Sequence, residues 1–285
     1  MRVNHGDLIL LFRRPSSAER QPREYARRQR LLRIGLGTAV PVALVVLWQI
    51  ASTRGWIDSR LYPSPSRLVG EARDLESQGK LWPNLWATTR RILVGFALGA
   101  TAGVLVGMVM GVFDTLRWAF EPLLNALYTV PKLALLPLFL TVFKYGEAPI
   151  YALILTTVFF FVWISTLEAM LSVPEGYREA VLSLKRSRWQ LFRHALLPAS
   201  LPQIFVGLRI TAGVSVLVVL GVEFIYGGSG IGYLIIQGKT LFIPKQMYVA
   251  IVVAALLGIA CIGVVDIARR LAIPWAGRDR SRSRG

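Results

Sequence analysis

Cysteine and histidine are nearly absent from this chain, and acidic side chains are scarce. The one cysteine, Cys261, lies inside an apolar run, so no disulfide framework exists and a packing role is expected for it. The two histidines, His5 and His194, stand far apart with no cysteine partner, which argues against a structural metal site. Charged residues make up only 17% of the 285, against about a quarter in a soluble domain. No nucleophile–base constellation and no G-x-x-x-x-G-K-[ST] phosphate loop is present, so the chain carries no enzymatic chemistry and cannot itself hydrolyse ATP. Energy for any work it does must come from a partner or a gradient.

Apolar surface and positive charge are abundant instead. With 54% hydrophobic residues and a mean hydropathy of +0.52, the class is polytopic membrane protein. A net charge of +17 would point to nucleic acid in a soluble chain. Here the arginines crowd the two ends and a central loop. Anchoring to anionic headgroups and control of topology explain that distribution more simply, so lipid is an expected partner and nucleic acid is not.

Long apolar runs occur at about 33–52, 92–112, 120–143, 149–171, 203–226 and 247–268. Each reaches the ~20 residues a helix needs to cross ~30 Å of hydrocarbon, where only closed backbone hydrogen bonding is tolerated. The expected fold class is therefore all-α, with six transmembrane helices. Pro41 can kink the first span, while Pro131 and Pro137 break up the third, which also holds Lys132. Residues 1–32 read as a basic, largely disordered tail, 33–272 as the membrane domain and 273–285 as a second basic tail. The first long apolar run starts only after Leu31 and no A-x-A-like site follows it, so an uncleaved anchor is expected.

Placing the N-terminus inside puts 21 Lys and Arg in residues 1–33, 113–119, 172–202 and 269–285. With Arg90 at the edge of the second span set aside, the opposite loops carry eight: Arg54, Arg60, Arg67, Arg73, Lys80, Lys144, Lys239 and Lys245. Cytoplasmic loops are the Lys/Arg-rich ones, which predicts both termini in the cytoplasm. In the long loop 53–90, Leu68, Ala72, Leu75 and the Trp82/Trp86 pair predict a helix lying at the outer interface.

Gly95, Gly99, Gly103, Gly107 and Gly111 recur every four residues along the second span. Such a strip lets a neighbouring helix approach backbone to backbone, so helix packing is expected, with a sliding interface as the second reading. Gly227-Gly-Ser-Gly-Ile-Gly232 mimics a dinucleotide fingerprint but follows a membrane span and opens no βαβ unit, so a flexible re-entrant or outward turn is the better reading. Glu223 is a carboxylate in the outer third of a span, where ionisable groups are costly and usually face a cavity or a partner. It is a pathway candidate, with Arg209 and Lys132 as further candidates and possible partners; snorkelling or structural pairing is the plainer alternative for those two.

The stretch 172–202 is a charged, amphipathic island. Ser172-Val173-Pro174-Glu175 is a helix start. Tyr177, Ala180, Val181 and Leu184 then form one apolar stripe at i, i+3, i+4 and i+7. A second start at Ser187 leads to Pro198, with a break near Arg186. Two short helices held between spans suit docking into another protein's groove.

Glu179-Ala180, the following Ser187-Arg-Trp-Gln-Leu-Phe192 and Leu197-Pro198 resemble the EAA loop of ABC importer permeases, nearest to the nitrate/sulfonate/taurine branch. Leu61-Tyr-Pro-Ser-Pro-Ser66, Leu81-Trp-Pro83, Arg91-Ile-Leu-Val-Gly-Phe96 and Gly228-Ser-Gly-Ile-Gly-Tyr-Leu234 extend the resemblance over about residues 60–272. It implies the type I importer permease (MetI-like) fold in a bacterial inner membrane. It also implies a second permease copy, two ATPase subunits that bind ATP-Mg, and a periplasmic or lipid-anchored binding protein. Tyr177, Glu179, Ala180, Val181, Leu184 and Lys185 would couple to the ATPase. Val181 and Lys185 depart from the family's usual Ala and Gly, and Lys there would pay for a left-handed backbone that Gly adopts freely. The branch implies a small oxyanion such as nitrate, sulfonate or taurine, with a vitamin or vitamin precursor as alternative. A gradient-driven secondary transporter would instead show broken midplane helices in two similar halves. A membrane enzyme would show convergent His, Asp or Glu.

Overall fold

The computed structural model describes residues 22–174, Gly176 and 188–277. It divides into two units, residues 1–67 and 68–285. In the first, α1 (Pro22–Thr53) has Pro41 in its interior and exposes every side chain from Gly35 to Leu47, which suits a lipid surround. Gln49 near its end holds Ser66 twice, at 3.1 Å to Oγ and 3.1 Å from the amide, and the Ser52 hydroxyl donates to the Tyr62 carbonyl at 2.9 Å. These bonds fold the Tyr62–Ser66 segment back onto the helix end.

α2 (Pro65–Ser77) stops at Gly79, whose φ of +67° lets the Lys80 amide reach the Leu75 carbonyl at 2.9 Å. α3 (Leu81–Val112) follows at once. Trp82 and Trp86 therefore belong to the first turns of a spanning helix rather than to an interfacial one, and that helix begins eleven residues before the apolar run. Next come α4 (Asp114–Thr129), a 3-10 turn (Lys132–Leu135), α5 (Leu136–Phe143) and α6 (Ala148–Leu171). The short turn Arg188–Leu191 and a π-helical turn Phe192–Leu196 then lead into α7 (Leu197–Ile225). α8 (Ile231–Thr240) and α9 (Pro244–Ala272) complete the described helices of this unit, with a last 3-10 turn at Pro274–Gly277.

Five described helices are long and apolar enough to cross a membrane, and the bent pair Asp114–Thr129 plus Lys132–Phe143 makes a sixth if counted as one span. Its two parts meet at 90°. Pro131 forces the turn by holding Val130 extended, whereas Pro137 sits in the first turn of α5, where a missing N–H costs nothing. The Lys132 ammonium donates to the carbonyls of Leu127, Tyr128 and Val130 at 2.8, 2.8 and 2.9 Å, and lies 4.5 Å from the Phe160 ring centre. It thus satisfies the carbonyls that α4 leaves open at its end.

α6 is the central element, with Leu153, Ile154, Val158 and Trp163 unexposed. The glycine strip of α3 lies along it. Gly95, Gly99, Gly103, Gly107 and Gly111 face Ile154, Val158, Val162, Thr166 and Met170 in turn, a constant offset of 59 residues between parallel helices. A Cβ on Gly103 would stand 2.8 Å from the Phe159 carbonyl oxygen and 2.9 Å from the Trp163 nitrogen. Backbone, which cannot step aside, is what makes glycine necessary there. Gly258 on α9 has nothing within 4 Å of such a Cβ. Gly103→Ala should accordingly cost about 1–3 kcal/mol by overpacking, while Gly258→Ala should be neutral or slightly stabilising. Thermal denaturation in detergent checks this; equal midpoints for the two variants would contradict the packing account.

Candidate functional site

Buried charge converges where α7 ends and α6 begins, against the third turn of α3. The side chains of Arg91 and Glu223 are 2% and 0% exposed. All five N–H donors of Arg91 are engaged. Nη1 donates to Glu223 Oε1 at 2.7 Å and to the Ser229 carbonyl at 2.7 Å. Nε and Nη2 reach the two oxygens of Glu147 at 2.8 and 2.5 Å, and Nη2 also meets Ser229 Oγ at 3.0 Å. The Glu147–Arg91 contact has the two-point geometry that gives guanidinium–carboxylate pairs their strength. Its hydrogen bonds hold the Glu147 carboxyl below the ordinary carboxylate range.

Glu223 is held from three sides. Besides Arg91, it accepts the Thr88 hydroxyl at 2.9 Å and the Gly232 amide at 2.8 Å. Thr88 Oγ1 in turn accepts the Ile231 amide at 2.8 Å, and Asn84 Oδ1 accepts the Gly230 amide at 2.6 Å. Helix starts normally satisfy their free N–H groups with a local cap. Here three successive amides at the head of α8 are capped by side chains of α3 and α7. Asn84, Thr88 and Arg91 sit at i, i+4 and i+7, one face of α3.

Two of the glycines of residues 227–232, Gly230 and Gly232, follow from this. Gly230 has φ +117° and a Cβ there would collide with the Glu223 carboxyl; one on Gly232 would stand 2.7 Å from Glu223 Cβ. The turn is packed closely around the carboxylate rather than left loose. Beside it, the Gly146 amide donates to the Tyr226 hydroxyl at 2.9 Å, and a cavity of about 510 Å³ opens, lined by Arg91, Glu147, Tyr226, Gly228 and Ser229 among others.

Glu223 therefore meets neither of the partners weighed for it from sequence. Lys132 is occupied at the α4 break, and Arg209, 53% exposed, lies 3.4 Å from Asp266. No part of the Glu223 side chain remains on the surface of the single chain, so its charge is answered inside the subunit, by Arg91. Tyr177, Glu179, Ala180, Val181, Leu184 and Lys185 lie outside the described residues. The flanks of that segment are well packed: Met170, Val173 and Leu196 are buried together against Val112, Leu191 and Phe192. Arg91, the centre of this cluster, opens the Arg91–Phe96 motif but is not among the candidate site residues. It stands at the edge of an apolar run and enters neither the charge count nor the candidates. Its stripe with Asn84 and Thr88, facing a span that holds a carboxylate, is the signal that could have found it.

Comparison with known proteins adds an independent line. Residues 99–277 match the model described as "Binding-protein-dependent transport system inner membrane component". The Escherichia coli (strain K12) protein SsuC, named for aliphatic sulfonates transport, is 33% identical over 239 residues, 83% of this chain and 90% of its own length. The nitrate import permease protein NrtB of Leptolyngbya laminosa is 29% identical over 273 residues, 91% of this chain and 96% of its own. In the solved structures, an inward-facing MetNI methionine ABC transporter chain superposes with a TM-score of 0.55 at 18% identity, over 67% of this chain and 97% of that one, which supports the fold.

The buried pair makes a specific energetic prediction. Arg91→Leu strands the buried Glu223 carboxylate, at a cost of about 3–5 kcal/mol, whereas Glu223→Leu leaves Arg91 its two bonds to Glu147 and should cost less. The double variant removes the stranded carboxylate as well and should lose no more than Arg91→Leu alone. Chemical denaturation in mixed micelles measures all three; strictly additive losses would show that the two groups do not depend on each other.

Proposed function

Because the chain belongs to the family of binding-protein-dependent transport system inner membrane components, the permeases of ABC importers, we propose that it forms half of the pathway of an ATP-driven importer for a small oxyanion. A second copy supplies the other half. Two ATPase subunits, which bind ATP-Mg, dock on residues 172–202, and a binding protein delivers substrate to the opposite face. The charge asymmetry, 21 Lys and Arg against nine with Arg90 counted, supports a cytoplasmic side for both termini and that docking segment. The oxyanion is favoured by the sulfonate and nitrate named for two relatives.

One observation carries the mechanism. Trp189–Ile225 is a single apolar helical rod of 37 residues, about 55 Å long at 1.5 Å per residue. It starts within the docking segment, carries the π-helical turn Phe192–Leu196 near that end, and reaches Glu223 at the other. α6 runs alongside it from Glu147 to the same segment. At the segment, Met170, Val173 and Leu196 pack together, tying the ends of the two rods to each other. Closing of the ATPases would therefore shift the rods as rigid bodies and act on the ionic cluster some 50 Å away at ~1.5 Å per residue.

Ala180 tests the docking. It must be small for helix and groove to approach, and burying an unpaired charge costs several kcal/mol, comparable with the yield of a modest interface. Ala180→Arg should abolish uptake and lower the amount of ATPase that co-purifies, while the protein still inserts. With Cys261 replaced by Ala, an impermeant maleimide on intact cells should label a cysteine at Ser77 and spare one at Ser183. A full complement of ATPase on Ala180→Arg with normal substrate-stimulated hydrolysis would remove this segment from the coupling role, and labelling reversed between the two sites would invert the topology.

A further inference from the structure

Arg91 is shared between two carboxylates that differ in every physical respect. Glu223 is wholly enclosed and also takes bonds from Thr88 and Gly232. Glu147 is 38% exposed, takes its hydrogen bonds from Arg91, and has Arg90 standing 3.7 Å off. It sits at the head of α6, on the wall of the 510 Å³ cavity. A water molecule occupies about 30 Å³, so this cavity has room for an anion of several heavy atoms with solvent.

We propose that the Arg91 fork, with Ser229, is an anion site at which Glu147 stands in for a small oxyanion and yields its place to one during transport. A guanidinium presents two parallel N–H bonds to any group offering two oxygens on one face, which a carboxylate, nitrate, bicarbonate or sulfonate head all do. The exchange is neutral in charge: one anion leaves the buried cation as another arrives, so Arg91 is never left unpaired and Glu223 stays in place. Arg90, half-exposed on the same side, receives the displaced Glu147 carboxylate. The site selects for anions with paired oxygens and against chloride, which offers a single point of contact. It deepens the oxyanion reading above and rests on it.

Glu147→Gln opens the fork without removing the guanidinium. The purified variant, in complex with its ATPase, should melt below the parent protein in sodium chloride. Sodium nitrate or sodium methanesulfonate should restore it, by about 4 °C once the anion is tenfold above its dissociation constant. The parent protein should need at least about tenfold more anion for the same shift, because Glu147 competes. Arg91→Gln/Glu147→Gln should not respond. Should Glu147→Gln fail to purify, Glu147→Asp, whose shorter side chain holds the fork less well, serves in the same measurement. Absence of any oxyanion effect, or an equal effect of chloride, overturns the site. Uptake of radiolabelled oxyanion by the reconstituted importer separates the two ideas. Transport without stabilisation of Glu147→Gln sinks the site and leaves the substrate class standing. Stabilisation without transport of any oxyanion supports the site and sinks the substrate class.

Discussion

A guanidinium and a carboxylate removed from water together are the constraint on which this fold turns. Burying either Arg91 or Glu223 alone would consume a large share of a domain's spare stability, since an unpaired buried charge costs several kcal/mol. Pairing obliges α3 and α7 to meet at one level and in one rotation. The leftover hydrogen-bonding capacity of the pair then decides what else can be attached. Glu223 caps α8, Arg91 holds Ser229, and the guanidinium's second face reaches Glu147 at the head of α6. Four chain segments are thereby joined through two side chains, and glycine becomes obligatory at Gly230 and Gly232 because the carboxylate fills the space a Cβ would need.

Away from that cluster the bundle is held by shape. The α3–α6 seam is a ridge of glycines against a ridge of larger side chains at the same four-residue period, so the two helices share one register over its whole length. Such a seam transmits displacement along the helices with little loss, because sliding would drive Val158 or Thr166 into helix backbone. The π-helical turn at Phe192–Leu196 interrupts the regular helix where the docking segment and the long rod overlap. Insertions of this kind recur at functional sites. Its position beside the buried Met170 and Leu196 puts it where motion of the segment enters the membrane domain.

Much of this architecture is written locally. Lipid demands about 20 apolar residues per span, so hydropathy alone locates the crossing helices, and the four-residue glycine period declares a packing seam before any partner is known. Pro131 likewise announces the break in the third run. What hydropathy misses is hydrogen bonding: α3 continues upstream through Asn84 and Thr88 because those polar residues have partners in the 227–232 turn. Arg91 is illegible for the same reason. Its partners stand 56, 132 and 138 positions away along the chain. Glu223 announces itself as a costly carboxylate in a span, yet only the fold tells that Arg91 answers it rather than Arg209 or Lys132.

The claim that one ion pair holds the head of α8 can be read amide by amide. In the protein reconstituted into nanodiscs, hydrogen exchange at Ile231 and Gly232 should be as slow as at Val162 in the α6 core. In Arg91→Gln those two amides should exchange at least about a hundredfold faster by local opening, with Val162 unchanged. Unaltered exchange at Ile231 and Gly232 in the variant would contradict the account.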